Sequence, residues 1–138
     1  MSQQSVQVTQ QSNRSVSELF DFLSRHENLS RVFLIPVSRI KDGEGEPNGV
    51  GSVRRLGPAP LGVEETVTAL ERDRFIEYRI TRNGGPIRNH QGRLDFSETA
   101  QGCQVQWTIQ FDAPLPIIGK GVATVLQQGL VMGLKRIA

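Results

Sequence analysis

Arg55, Glu65, Tyr78, His90 and Trp107 are the side chains of this 138-residue chain whose types could do chemistry together. Strand alternation is expected to put all of them on one apolar face. His90 would be the natural proton donor or acceptor, since an unperturbed imidazole titrates near neutrality. A buried Glu65 would have its carboxyl pKa raised by desolvation and could serve instead. Arg55 or Tyr78 would then steady a developing oxyanion, and the Trp107 indole adds one more donor.

Polar groups like these cost several kcal/mol each when buried unpaired, so they must bond one another, a ligand or water. Three arrangements meet that demand. They can form an internal network, with Glu65 on Arg55 and His90 beside Tyr78. They can orient a mostly apolar ligand. Or His90 and Glu65 can act as catalytic acid and base.

The elements that position them are strands. A first strand is expected over about residues 4 to 11, where Val6 and Val8 alternate with polar neighbours. From Val37 onward the period is two again. The expected strands are Val37–Lys41, Gly49–Gly57, Gly62–Glu71, Arg74–Arg82, Arg88–Ser97 and Cys103–Asp112. Breaks such as Asn83-Gly84-Gly85-Pro86 and Ala100-Gln101-Gly102 carry turn chemistry, and their shortness favours antiparallel pairing.

On the last strand Cys103, Val105, Trp107, Ile109 and Phe111 share one face. Leu94 and Phe96 set a parity that puts His90 and Gly92 inside, and Ile76 and Ile80 do the same for Tyr78. Val63, Val67 and Ala69 carry Glu65 inward. On the third strand Val53 and Arg55 are the expected inward pair, and a bulge would exchange them for Arg54 and Leu56.

Helices close the arrangement. Ser15-Val16-Ser17-Glu18 has the capping-box pattern, followed by Val16, Leu19, Phe20 and Leu23 at helical spacing. Leu29, Val32 and Phe33 suggest a second short helix, ended by Pro36. After a Pro-Leu-Pro corner a long helix is expected over Ile117–Ile137. Its inward stripe comprises Ile118, Val122, Val125, Leu126, Gly129, Leu130, Gly133, Leu134 and Ile137. Gly129 and Gly133 each lose about 0.8–1 kcal/mol of helix propensity against Ala. That loss fits either close packing on the sheet or room left for a ligand.

Composition narrows the function classes. The length fits one domain spanning 1–138, and the charge of +2 is small and scattered, so nucleic acid is not an expected partner. Cys103 is the only cysteine, which excludes an intrachain disulfide; a half-buried, inert thiol is expected. His26 is expected in a surface segment, so no metal site is expected. Neither Gly49-x-Gly51 nor Gly119-Lys120-Gly121 completes a nucleotide-binding loop, and no cofactor is expected. No signal peptide or membrane-spanning run is expected, so a cytoplasmic protein is the expectation, and either a monomer or a homodimer fits it.

Four segments together carry a family likeness. They are Val16-Ser17-Glu18-Leu19-Phe20-Asp21-Phe22-Leu23, Gly49-Val50-Gly51-Ser52-Val53-Arg54-Arg55, Arg74-Phe75-Ile76-Glu77-Tyr78-Arg79-Ile80, and Gly102-Cys103-Gln104-Val105-Gln106-Trp107 with Phe111. In that order they resemble the START-like helix-grip superfamily, in particular its polyketide cyclase/dehydrase and lipid-transport families, over essentially the whole chain. The resemblance implies an α+β fold: a curved seven-stranded antiparallel sheet gripping the long C-terminal helix around a hydrophobic cavity. It implies a small apolar or amphipathic ligand, lipid- or polyketide-like. The candidate ligand-binding set is then Arg55, Glu65, Tyr78, His90, Trp107, Phe111, Leu126, Gly129 and Gly133. A cyclase or dehydratase acting through His90 and Glu65, with Arg55 or Tyr78 at an enolate, is the enzymatic alternative; a protein-interaction module is the other. The superfamily shares no catalytic motif, so no catalytic residue is carried over.

Overall fold

A computed structural model describes residues 2–138. The elements are β1 (Ser2–Ser12), α1 (Val16–Ser24), a 3-10 turn (His26–Asn28), α2 (Leu29–Phe33), β2 (Val37–Lys41), β3 (Val53–Leu56), β4 (Val63–Glu71), β5 (Phe75–Arg82), β6 (Arg88–Thr99), β7 (Gly102–Ala113) and α3 (Pro116–Ile137). All seven strands form one antiparallel sheet in the order β1-β7-β6-β5-β4-β3-β2. Only β1 is out of sequence order, because the helices carry the chain from β1 across to β2 on the far edge. The curved sheet and the long terminal helix make this a helix-grip fold.

The local signals explain the elements. Ser15 accepts from the Glu18 amide at 3.1 Å while the Glu18 carboxylate takes the Ser15 amide at 3.4 Å, closing the capping box on α1. Leu34 ends α2 in the left-handed region at φ 56, two residues before Pro36. In β7, Cys103, Val105, Trp107, Ile109 and Phe111 are all buried on the face that meets the helices, and the intervening Gln104, Gln106 and Thr108 are not. Cys103 is fully buried rather than half-buried, and burial pushes its thiol pKa up.

α3 departs from two expectations. By length and composition it is apolar enough to cross a bilayer, because Lys120 is its one charge before Lys135. It lies instead along β1 and α2, with Leu130, Gly133, Leu134 and Ile137 buried. Its inward stripe is also narrower than expected. Val125 is 70% exposed, since it lies on the edge of the stripe and the sheet reaches only the central positions.

Candidate ligand-binding face

Tyr78 stands at the centre of the concave face. It pairs across the ladder with Gly92 of β6, where a Cβ would overlap the phenol ring. Gly92 therefore lets the ring lie flat over β6 toward β7. There the Trp107 indole donates to the Tyr78 hydroxyl at 2.8 Å. The hydroxyl proton itself has no acceptor among the described residues. Phe33 stacks edge-on against Trp107 with ring centroids 5.7 Å apart, which brings α2 onto the same cluster.

Beside Tyr78 lies a charged network that alternation alone had assigned to a different arginine. The inward residue of β3 is Arg54, not Arg55. Arg54 is 3% exposed, donates to Glu65 at 2.8 Å and places its guanidinium 4.5 Å from the Tyr78 ring centroid. Arg55 sits opposite Glu64, at 3.5 Å, on the other side of the sheet. β3 has only four residues, too few for a hydrophobic alternation, so its parity follows from register: Arg54 faces Glu65 and Arg55 faces Glu64. The expected Glu65–Arg55 pair is thereby replaced by Glu65–Arg54.

His26 completes this network and was expected in a surface segment. It is 1% exposed. Arg54 donates to its Nδ1 at 3.3 Å, and its Nε2–H donates at 2.8 Å to Ser52, whose hydroxyl passes its own proton to the Gly49 carbonyl at 2.6 Å. The ring must be neutral to accept from an arginine. Burial, then the Arg54 and Arg39 charges, push its pKa down to about 3. A backbone amide bond to Asn48 holds it in place. The signal for His26 and Ser52 was weak: neither belongs to an alternating run, and only the Glu65 charge asked for partners nearby.

His90 is inward and 8% exposed, as its parity required. Pairing between β5 and β6 runs from Phe75–Asp95 to Tyr78–Gly92 and stops there. Beyond it the Ile80 amide donates to His90 Nδ1 at 3.0 Å, so an imidazole stands in for the missing ladder carbonyl. This fixes the tautomer and leaves Nε2–H as a donor without a partner among the described residues. The Tyr78 and His90 rings lie 5.6 Å apart without a hydrogen bond between them. Burial lowers the His90 pKa, Glu65 opposes that shift, and Arg54 adds to it. Burial and the Glu65 charge raise the Tyr78 pKa, so its hydroxyl stays protonated.

The helix side of the face is built from Phe111, buried on β7, and from half-buried Ile118, Val122 and Leu126 on α3. The two glycines behave differently. A Cβ on Gly133 would overlap the Val32 carbonyl, so this glycine is there for the close crossing of α2 and α3. A Cβ on Gly129 would meet nothing within 4 Å. Open hollows lie along the outer side of α3, beside Thr124, Gln128 and Met132, and between α1 and residues 44–50, beside Phe20 and Arg72. The concave polar groups line neither of these hollows.

Chemically, the face offers donors more than bases. His90 Nδ1 is committed to Ile80, and Glu65 is held in a buried ion pair with Arg54. The face brings together Glu65, Tyr78, His90 and Trp107 from the expected set, with Arg54 in place of Arg55.

The comparisons agree with this architecture. The chain matches the family described as Polyketide cyclase / dehydrase and lipid transport over residues 3–138, and it belongs to that family. Among the curated proteins no match is found. Solved structures share the fold at low identity. A protein of Thermobifida fusca is 16% identical with a TM-score of 0.76, covering 94% of this chain and 89% of its own. A protein of Nitrosospira multiformis is 18% identical with a TM-score of 0.73, covering 95% and 93%. Ara h 8.0201 is 15% identical with a TM-score of 0.69, covering 96% and 95%.

Proposed function

We propose that this chain binds a small, mostly apolar molecule between α3 and the concave face of the sheet, and that binding rather than turnover is its role. One observation carries the reading: the Tyr78 hydroxyl and His90 Nε2–H are two inward donors with no acceptor among the described residues, set beside the neutralised Arg54–Glu65 pair and the buried Trp107 indole. Unpaired donors in such a setting suit a ligand with one uncharged acceptor, such as a carbonyl or ester oxygen. A carboxylate suits it less, because Arg54 already neutralises Glu65. Trp107, Phe111, Leu126 and the open space at Gly129 would take the apolar body. Access runs through the first half of α3, whose inward side chains are only half-buried.

The test is native mass spectrometry of protein isolated from its own host. The reading expects a bound small molecule that is retained by the wild type and weakened roughly tenfold or more in Tyr78→Phe/His90→Phe. Repeated recovery of empty protein would overturn it. Recovery of a chemically altered product would favour the cyclase or dehydratase reading instead.

A further inference from the structure

We propose that the end of the molecule carrying the β3–β4, β5–β6 and β7–α3 connections docks on an anionic membrane surface. The register puts these connections together: Leu56 faces Val63, Glu64 faces Arg82, and Arg88 faces Asp112. Asn83 ties two of them by donating to the Pro60 and Gly62 carbonyls, each at 3.1 Å. Each apolar tip here lies open: Leu61 is 82% exposed, Leu115 55% and Ile117 78%. Large apolar side chains at separate protruding tips suit shallow insertion into an interface better than a protein groove, which needs one contiguous patch.

Charge selects the kind of surface. Arg82, Arg88 and Lys120 are exposed around these tips. The acids of this end are accounted for: Glu64 is buried between Arg55 and Arg82, and Asp112 accepts from Asn89 at 2.8 Å. Among the described residues no exposed acidic side chain remains here. The opposite end, built of the turns before β3, after β4 and after β6, exposes the acids Asp42, Glu44, Glu46, Glu71 and Glu98 against the bases Lys41, Arg72 and Arg74, and pairs Asp42 with Arg39 and Glu71 with Arg74, which leaves it with an acidic excess. This polarity would turn the apolar tips toward anionic headgroups and the acidic end away. Docking needs no interior ligand, so its test is separate from that of the binding face.

Flotation of the purified chain with vesicles decides it. The expected result is binding to phosphatidylcholine vesicles containing phosphatidylserine, little binding to phosphatidylcholine alone, and loss at high salt. Leu61→Ser/Leu115→Ser/Ile117→Ser should weaken binding roughly tenfold or more. Arg88→Gln and Lys120→Gln should each weaken it about fivefold, while Val50→Ser at the far end should leave it unchanged. Equal flotation with neutral vesicles, or full flotation of the triple serine variant, would overturn the proposal. So would absence of flotation with either vesicle; self-association in the ultracentrifuge would then mean that a second copy covers the tips.

Discussion

Mild acid should destabilise this protein through His26. In the fold this imidazole must accept a hydrogen bond from Arg54, and its pKa is pushed down to about 3; in the unfolded chain it returns to 6.5. Between those values the unfolded chain holds a proton that the folded chain refuses. Stability is therefore level above neutrality and falls as pH drops below 6.5, by about 1.4 kcal/mol per pH unit. At about pH 5 the loss from His26 alone is roughly 2 kcal/mol, a large part of the stability of an ordinary domain. His90, also lowered by burial, adds a loss of the same sign. Urea denaturation measured from above neutrality down to about pH 5 reads the effect before most carboxylates titrate. His26→Gln keeps one acceptor for Arg54 and one donor for Ser52 but cannot titrate, so its stability should fall less with acid than that of the wild type. Parallel losses in wild type and His26→Gln would refute the reasoning.

Two paired substitutions check the packing. Gly133→Ala should destabilise by roughly 1–3 kcal/mol because its Cβ would overlap the Val32 carbonyl, whereas Gly129→Ala should stabilise by about 0.8–1 kcal/mol, both read from urea midpoints. Arg54→Met strands the buried Glu65 charge and should cost about 3–5 kcal/mol. Arg55→Met should cost about 1 kcal/mol or less, since Glu64 keeps Arg82 at 4.0 Å.

The contrast between Arg54 and Arg55 shows where the sequence stops speaking. Long strands declared their faces: the twelve residues of β7 alternate so regularly that Trp107 and Phe111 had to point inward, and Tyr78 and His90 followed from apolar neighbours on their own strands. β3 has four residues and two adjacent arginines, so alternation had nothing to anchor it, and only pairing with β4 decided. His26 was illegible for a different reason. Its burial depends on Ser52, Asn48 and Arg54, which lie 22 or more residues away. On α3, periodicity gave the stripe but not its width, because the sheet covers the centre and leaves Val125 outside. The glycine pair could not be sorted from sequence, since only Gly133 meets another backbone.

The central claim is that Tyr78 and His90 hold the polar end of an apolar ligand. Nitrogen-15 NMR of the imidazole and indole nitrogens, with and without the molecule recovered from the host, tests it most directly. The account predicts that the His90 Nε2–H and Trp107 Nε1–H resonances move on binding while His90 Nδ1 keeps its bond from the Ile80 amide. If the ligand binds and these resonances stay in place, while those of residues lining the outer side of α3 move, the concave face is not the binding site.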